Sequence, residues 1–452
     1  MPSIYFKKIL FLMKIKNNKI ILTSLFLFFL IVIIGMWSNP SFNSIITQDT
    51  YDYMTLAENI FDEQANFRPP TYPLFLRISS VFGFKDWTKN VFLFQLLIHA
   101  IIIVICFLFF IYMNIKPWFA FIISLIAGLN PSQLYYLTNI LPEMLLCSII
   151  TICWIMTLFY IYSKGSFYPI YILITIGFLS GVAALTKPVW LLGIFPIFIS
   201  IFTYNKNPII NFIKLLFFTI GLHFLLIFCW KGFNHLNNVK LQNGKTLTVN
   251  ICMASLRSGL IKYGKGTPIY NYLDESGYLN QAMLLEGKDN QKFREIYGLL
   301  SWEQRCDTEF ANRIIKNAKF DFFISQMKYW HYFFTNRMFS PNKQDSFYGL
   351  PKIGRYLYIA SYSYFYRPIM PLLLIITIII FIFSSKYRPL IFTSFSILIY
   401  FSLVIILFTK SQSSVMRMRV PVEIILFTSS LYPTIDLLKI YIQKKFTHIY
   451  KI

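Results

Sequence analysis

The stretch I-I-L-T-S-L-F-L-F-F-L-I-V-I-I-G-M-W, residues 20–37, decides the fold class of this chain. It contains no charged residue, and an α-helix needs about 20 mostly apolar residues to cross a bilayer. Of the 452 residues, 56% are hydrophobic and 19% are aromatic, and the mean hydropathy is +0.57. This composition excludes a water-soluble globule and predicts an all-α polytopic membrane protein.

Similar apolar runs recur along the chain. Together with the first they predict about ten transmembrane helices, at residues 20–37, 91–112, 118–136, 141–162, 168–186, 188–204, 209–230, 367–384, 389–408 and 420–438. The third to the sixth of these runs are short or interrupted, so the true number lies within about two of this count.

The basic residues indicate the topology. Lys and Arg outnumber acidic residues 42 to 19, for a net charge of +23, and they cluster at the ends of the apolar runs. This placement favours topology signals and contacts with phosphate or lipid headgroups over nucleic-acid binding. Residues 1–19 carry lysines and no acid, which predicts a cytoplasmic N-terminus. The first run is long and lacks a small-x-small cleavage site, so we interpret it as an uncleaved anchor.

This topology divides the chain into five parts. They are a basic cytoplasmic N-terminus (1–19), a transmembrane core (20–230) that includes the first outer loop (38–90), an outer segment (231–366), C-terminal transmembrane helices (367–438) and a basic cytoplasmic tail (439–452). In the outer segment apolar residues recur at spacings of three and four, which predicts a small, mainly helical extracytoplasmic domain. Cys252 and Cys306 lie there and can pair in an oxidising compartment. We expect a bacterial cytoplasmic membrane with an outward-facing site.

Carboxylates are distributed unevenly. Residues 1–48 have none, and Glu143 is the single acid between residues 87 and 273. An ionised group within or beside a span is costly unless it is paired or lines a wet cavity. Glu143 is therefore a candidate site residue, with a partner for a buried basic group as the alternative. Asp49 and Asp52 lie in the first outer loop, in Q-D-T-Y-D-Y-M-T-L-A-E-N, where acids at a membrane surface suggest chemistry.

Four basic residues are predicted on the same outer face: Arg68, Lys187, Arg417 and Arg419. Each of them by itself is equally well explained as an anchor at a helix end. Together with Asp49 they would form a cavity that has carboxylates and several cations. Such a cavity suits the binding of a phosphate and the activation of a nucleophile.

Several motifs together resemble a known family. Residues 49–57 follow the pattern D-x-x-x-Y-x-x-L-A, and R-P-P-T-Y-P follows at 68–73. This pair resembles the GT-C glycosyltransferases of the protein O-mannosyltransferase and aminoarabinose-transferase type. Weaker matches follow in the expected order, in L-P-E-M-L-L, G-V-A-A-L-T-K-P, E-F-A-N-R-I-I-K-N and R-M-R-V-P-V-E.

The resemblance implies transfer of a sugar from a polyprenyl-phosphate carrier to a lipid, glycan or protein acceptor on the outer face, with inversion at the anomeric carbon. The position that matches the family's catalytic acid is Asp49, which would take the acceptor proton. Asp52 either shares this role or only caps the loop helix. Some relatives use a divalent metal ion and others do not, so we assign none.

The remaining site residues are assigned around the leaving group, a lipid phosphate that gains negative charge in the transition state. The candidate donor-phosphate ligands are Lys187, Arg419 and Arg68, with Arg417 as the alternative to Arg419. Glu143 either orients sugar hydroxyls or pairs with one of these cations. Tyr53 and Tyr72 are candidates for stacking on a sugar ring, although tyrosines are common at membrane interfaces for amphipathic reasons.

Two other functions account for the sequence less completely than a transferase does. A flippase or transporter of lipid-linked sugars would be expected to have charges near the bilayer midplane and internal repeats, and the sequence has neither. An O-antigen polymerase or ligase would depend on arginines of a large outer loop. It would leave the combination of Asp49 with R-P-P-T-Y-P unexplained.

Overall fold

The computed structural model describes residues 18–39, 44, 46, 48–60, 68–81, 87–163, 169–204, 208–237, 327, 367–408 and 412–449. The chain divides into two compact units. One unit comprises residues 1–239, 337–400 and 417–452, and it contains every site residue discussed below. The other comprises residues 240–336 and 401–416.

Every regular element in the described residues is helical. In chain order the α-helices are α1 (Asn18–Ser38), α2 (Gln48–Glu58), α3 (Thr71–Val81), α4 (Trp87–Tyr112), α5 (Pro117–Gly128), α6 (Pro131–Leu137), α7 (Glu143–Tyr162), α8 (Pro169–Thr186), α9 (Ile194–Tyr204), α10 (Pro208–Leu215), α11 (Leu222–Leu236), α12 (Arg367–Phe383), α13 (Arg388–Phe408) and α14 (Gln412–Ile449). A 3₁₀ turn (Pro188–Trp190) precedes α9, and a π-helical segment (Leu216–Gly221) joins α10 to α11.

Within the described residues, six helices are long and apolar enough to cross a membrane. They lie at Asn18–Ser38, Trp87–Tyr112, Glu143–Tyr162, Phe212–Leu236, Arg388–Ile405 and Arg419–Leu438. Helices α5 and α6 would add a seventh span if they are counted as one, although the chain bends by 55° between them. The predicted spans 168–186, 188–204 and 367–384 form shorter apolar helices. The prediction of an all-α, multi-pass membrane protein is confirmed, and the number ten stays a prediction.

Prolines explain an interruption within one predicted span and the boundary between two others. Asn130 and Pro131 divide the run 118–136: the Asn130 side chain accepts a hydrogen bond from the Ser132 amide (3.0 Å), and Pro131 begins α6. Lys187 has extended backbone angles (φ −152°, ψ 126°), because a residue before proline is disfavoured in the helical region. The chain therefore leaves α8 at Lys187 and turns at Pro188 before α9 begins.

Helix α4 packs against α1, α5 and α7, while α8 packs against α7 and α11. The contact of α8 with the π-helical segment is especially close, since a Cβ on Gly177 would lie 2.4 Å from the Phe218 carbonyl oxygen. The two first-loop helices pack on each other, and α3 also contacts α4 and α8. In its described part the first outer loop is thus mainly helical, and its second helix, α3, lies against α8, the helix that leads to Lys187.

Several predictions fall on residues that the structure does not describe. Residues 1–17 lie outside the described residues, as do Cys252, Cys306 and almost all of the segment 231–366. At the other end, α14 continues to Ile449 and so passes through the start of the predicted tail at residue 439.

Candidate functional site

The first outer loop brings its two predicted carboxylates to one arginine. Arg68 Nη2 lies 2.7 Å from Asp49 Oδ1 and 2.9 Å from Asp52 Oδ2, and Arg68 Nε donates to the same Asp52 oxygen at 3.2 Å. Asp49 and Asp52 are three residues apart on α2, so their side chains occupy neighbouring positions on one helix face. The Arg68 side chain is 19% exposed and each aspartate side chain is 33% exposed, so these three side chains are partly accessible to solvent.

The ring of Tyr53 packs against the guanidinium of Arg68. The guanidinium carbon lies 5.0 Å from the centre of the Tyr53 ring, within the range of a cation–π contact. Burial alone would lower the pKa of Arg68, but Tyr53, Asp49 and Asp52 outweigh that effect and raise this pKa above its usual value. Arg68 therefore stays cationic throughout the physiological range.

A second ion pair joins two helix ends. Lys187 Nζ lies 2.8 Å from Glu143 Oε1, with Glu143 fully buried and the Lys187 side chain 13% exposed. Glu143 is in the first turn of α7, where the positive end of the helix dipole stabilises a carboxylate. Of the two alternatives for Glu143, the structure has the pairing with a basic group, and the group is one of the predicted phosphate ligands.

Tyr72 packs on the first-loop residue Tyr53 and lies close enough to Glu143 to interact with its charge. Its ring is fully buried and packs edge to face on Tyr53, with ring centres 5.2 Å apart. Burial, followed by the nearby Glu143 and Tyr53, raises the pKa of Tyr72 well above its usual value, so its hydroxyl is neutral. Among the described residues this hydroxyl has no hydrogen-bond partner. Tyr72 is therefore a buried donor within electrostatic reach of Glu143.

A third charged group lies on α14. Arg419 Nε donates to Glu423 Oε1 at 2.6 Å, and both side chains are almost completely buried. Ser132 Oγ donates to the same oxygen at 2.9 Å, and Asn130 Nδ2 donates to Glu423 Oε2 at 2.9 Å. This network joins α14 to the break between α5 and α6. The side chain of Arg417 lies outside the described residues.

Sequence reasoning missed the polar residues that hold the connection between α5 and α7. Gln95 Nε2 donates to the carbonyls of Leu137 and Asn139, each at 3.0 Å, and His99 Nε2 donates to the Gly128 carbonyl at 2.9 Å. Gln95 and His99 are one helical turn apart on α4, so both face the same neighbour. A Q-x-x-x-H pattern inside an apolar span was the available signal, because a buried polar side chain there needs a partner.

In the part of the chain that the structure describes, no three His, Cys, Asp or Glu side chains are grouped closely enough to hold a metal ion. The comparisons with known proteins add no family or relative. No protein-family model, no curated protein and no solved structure matches this chain.

Proposed function

We propose that this protein is an integral membrane glycosyltransferase. It would move a sugar from a polyprenyl-phosphate carrier to an acceptor on the extracytoplasmic face, with inversion at the anomeric carbon and with Asp49 as the base. The observation that carries the proposal is the convergence of Asp49 and Asp52 on Arg68, beside a buried tyrosine that lies near the Glu143–Lys187 pair.

The proposed step is a direct displacement. The acceptor hydroxyl oxygen forms a bond to the anomeric carbon while its proton passes to the Asp49 carboxylate. The bond between the anomeric carbon and the phosphate oxygen breaks, and its electron pair leaves with the lipid phosphate. A hydroxyl is a poor nucleophile until a positioned base removes its proton, which is the role that Asp49 would have.

The cations of this region would stabilise the leaving phosphate. Lys187 and Arg68 are both partly accessible, and each is already held in place by a carboxylate. A cation fixed in this way needs little reorganisation when negative charge grows on the phosphate oxygens. Arg419 is 3% exposed and bonded to Glu423, so we place it in a supporting role, orienting the break before α6.

The sugar-binding role is assigned to Tyr72, with Glu143 as its neighbour. A neutral, buried phenol can donate one hydrogen bond, and sugar hydroxyls are suitable acceptors. The ring face of Tyr53 is in contact with Arg68, so Tyr53 supports the guanidinium and Tyr72 better than it could stack on a sugar.

The test is sugar transfer in membranes that contain the native chain, Asp49→Asn or Glu58→Gln, at matched protein levels. The donors are a panel of radiolabelled polyprenyl-phosphate sugars, offered with lipid, glycan and peptide acceptors. Glu58 is the matched control, since it is an exposed acid on the same helix as Asp49.

We expect transfer by the native chain and by Glu58→Gln, with a loss of about 100-fold or more in Asp49→Asn. Equal transfer by Asp49→Asn would remove Asp49 as the base. Labelled lipid that crosses the membrane without any transfer would instead favour a flippase.

A further inference from the structure

Thr50 bonds to a part of the chain far from it in the sequence. Its side chain is fully buried, whereas Asp49 before it is partly exposed and Tyr51 after it is 61% exposed. Thr50 Oγ1 donates to the carbonyl oxygen of Ile140 at 3.1 Å, across 90 residues of sequence. The base-bearing helix α2 is thereby bonded to the connection between α6 and α7.

The acceptor of this bond lies in a part of the chain where the helical ladder is interrupted. Ile140 lies between the end of α6 at Leu137 and the start of α7 at Glu143. Buried carbonyls in such a connection need donors from elsewhere in the fold. Gln95 of α4 donates hydrogen bonds to the carbonyls of Leu137 and Asn139. Thr50 donates one to the carbonyl of Ile140.

Two further contacts of α2 stay within the first loop. Asp49 and Asp52 bind Arg68, which lies just before α3, and α2 packs on α3. An 11-residue helix has little stability of its own, so its orientation depends on what it packs against. The Thr50 bond and the packing of Tyr53 near Ile140 connect α2 to the membrane helices.

We infer that Thr50 is a positioning residue for the proposed reaction: its bond to the Ile140 carbonyl sets the rotation of α2 and so the direction of the Asp49 carboxylate. The inference rests on the proposed function, because positioning matters only if Asp49 is the base. A displacement of about 1 Å at a reacting group can cost on the order of 100-fold in rate.

The experiment compares Thr50→Val, which keeps the shape and removes the donor, with Thr50→Ser, which keeps the hydroxyl. Thr55→Val is the matched control, since the exposed Thr55 hydroxyl bonds only within α2, to the Tyr51 carbonyl. A spin label on Tyr51→Cys reports the mobility of α2 without any assay of activity. The label is attached after Cys229, Cys252 and Cys306 have been replaced by Ser.

We expect Thr50→Val to increase the mobility of the label and to lower kcat for sugar transfer by about tenfold or more, with KM for the donor within about twofold of native. Thr50→Ser and Thr55→Val should match the native chain in both measurements. The difference between Val and Ser separates loss of the bond from a general loss of packing.

Unchanged label mobility in Thr50→Val would overturn the inference, and so would an equal effect of Thr55→Val. Increased mobility with an unchanged kcat would also overturn it, because Asp49 would then work without the bond. If the native chain transfers no sugar and Thr50→Val still frees the label, the anchoring of α2 by Thr50 is supported and the proposed function fails.

Discussion

The Glu143 carboxylate and the Lys187 ammonium group lie 2.8 Å apart, although 44 residues separate them in the sequence. Each residue stands next to a proline at a helix boundary, with Pro142 before Glu143 and Pro188 after Lys187. The ion pair therefore joins the beginning of α7 to the end of α8. Because Glu143 is fully buried, its charge depends on partners inside the fold.

Removing the cation of this pair should be costly. In Lys187→Met the Glu143 carboxylate would lose its cation while fully buried, and we expect a loss of about 3–5 kcal/mol in the free energy of unfolding. Glu143→Gln should cost less, since Lys187 keeps some access to solvent. The double variant should lose less than the sum of the two single losses. Denaturation in detergent measures all three, and strictly additive losses would contradict a direct interaction.

Lysine should not be able to replace the guanidinium group of Arg68. Arg68 holds two carboxylates through two nitrogens of a planar group, whereas lysine offers a single point charge. If the proposed function holds, Arg68→Lys should lower kcat for sugar transfer by about tenfold. The control is Arg77→Lys on the exposed side of α3, where transfer should stay at the native rate. Native transfer by Arg68→Lys would mean that the two carboxylates need no common partner.

The buried network at α14 should contribute to stability through Glu423. Glu423→Gln would leave Arg419 buried without its charge partner, and we expect a loss of about 3 kcal/mol in unfolding free energy. Ser132→Ala removes one donor to the same carboxylate and should cost about 1–2 kcal/mol. Ser80→Ala is the control, because the exposed Ser80 hydroxyl bonds one turn back within its own helix. Denaturation in detergent gives each value, and equal losses for Ser132→Ala and Ser80→Ala would argue against the network.

Tyr72→Phe should separate folding from substrate binding. The Tyr72 hydroxyl is buried and has no hydrogen-bond partner in the described part of the chain, so its removal should leave stability near pH 7 unchanged or slightly higher. If this hydroxyl donates to the sugar, KM for the donor should rise severalfold. Thermal unfolding and steady-state kinetics provide the two readouts. An unchanged KM would exclude the hydroxyl from sugar binding.

The same residue predicts a dependence of stability on pH. The pKa of Tyr72 is raised in the folded chain above its ordinary value of 10.0. The folded state therefore binds a proton that the unfolded chain releases as pH rises above about 10. This contribution is fully present at neutral pH and is lost as pH increases through the alkaline range. Native chain and Tyr72→Phe should diverge in melting temperature above pH 10, with the native chain losing more; parallel curves would contradict the prediction.

The membrane helices were largely predictable because their signal is local. An apolar run of membrane length needs no partner to be recognised, and six of the predicted runs overlap helices that are long and apolar enough to cross a membrane. The 55° bend between α5 and α6 was less predictable from the sequence. Asn130 and Pro131 mark the point of interruption, but the donor to the Gly128 carbonyl beside the bend is His99, on α4.

The residues of the candidate site could be predicted from the sequence. The contacts that pair them were less predictable. Arg419 and Glu423 are four residues apart on one helix, a spacing that allows their ion pair. The contact of Thr50 with Ile140 spans 90 residues, and no pattern within the first loop points to it. Which distant carbonyl a side chain bonds to depends on how the segments pack.

By itself the sequence determined that the chain is a multi-pass helical membrane protein, with carboxylates and cations at the ends of its apolar runs. Hydrophobic length and the cost of burying charge are properties of short segments, so they can be read without the fold. Only the tertiary structure decided that Arg68 binds both Asp49 and Asp52 and that Lys187 binds Glu143. The choice of partner depends on which helix ends meet, and that is set by packing between segments far apart in the chain.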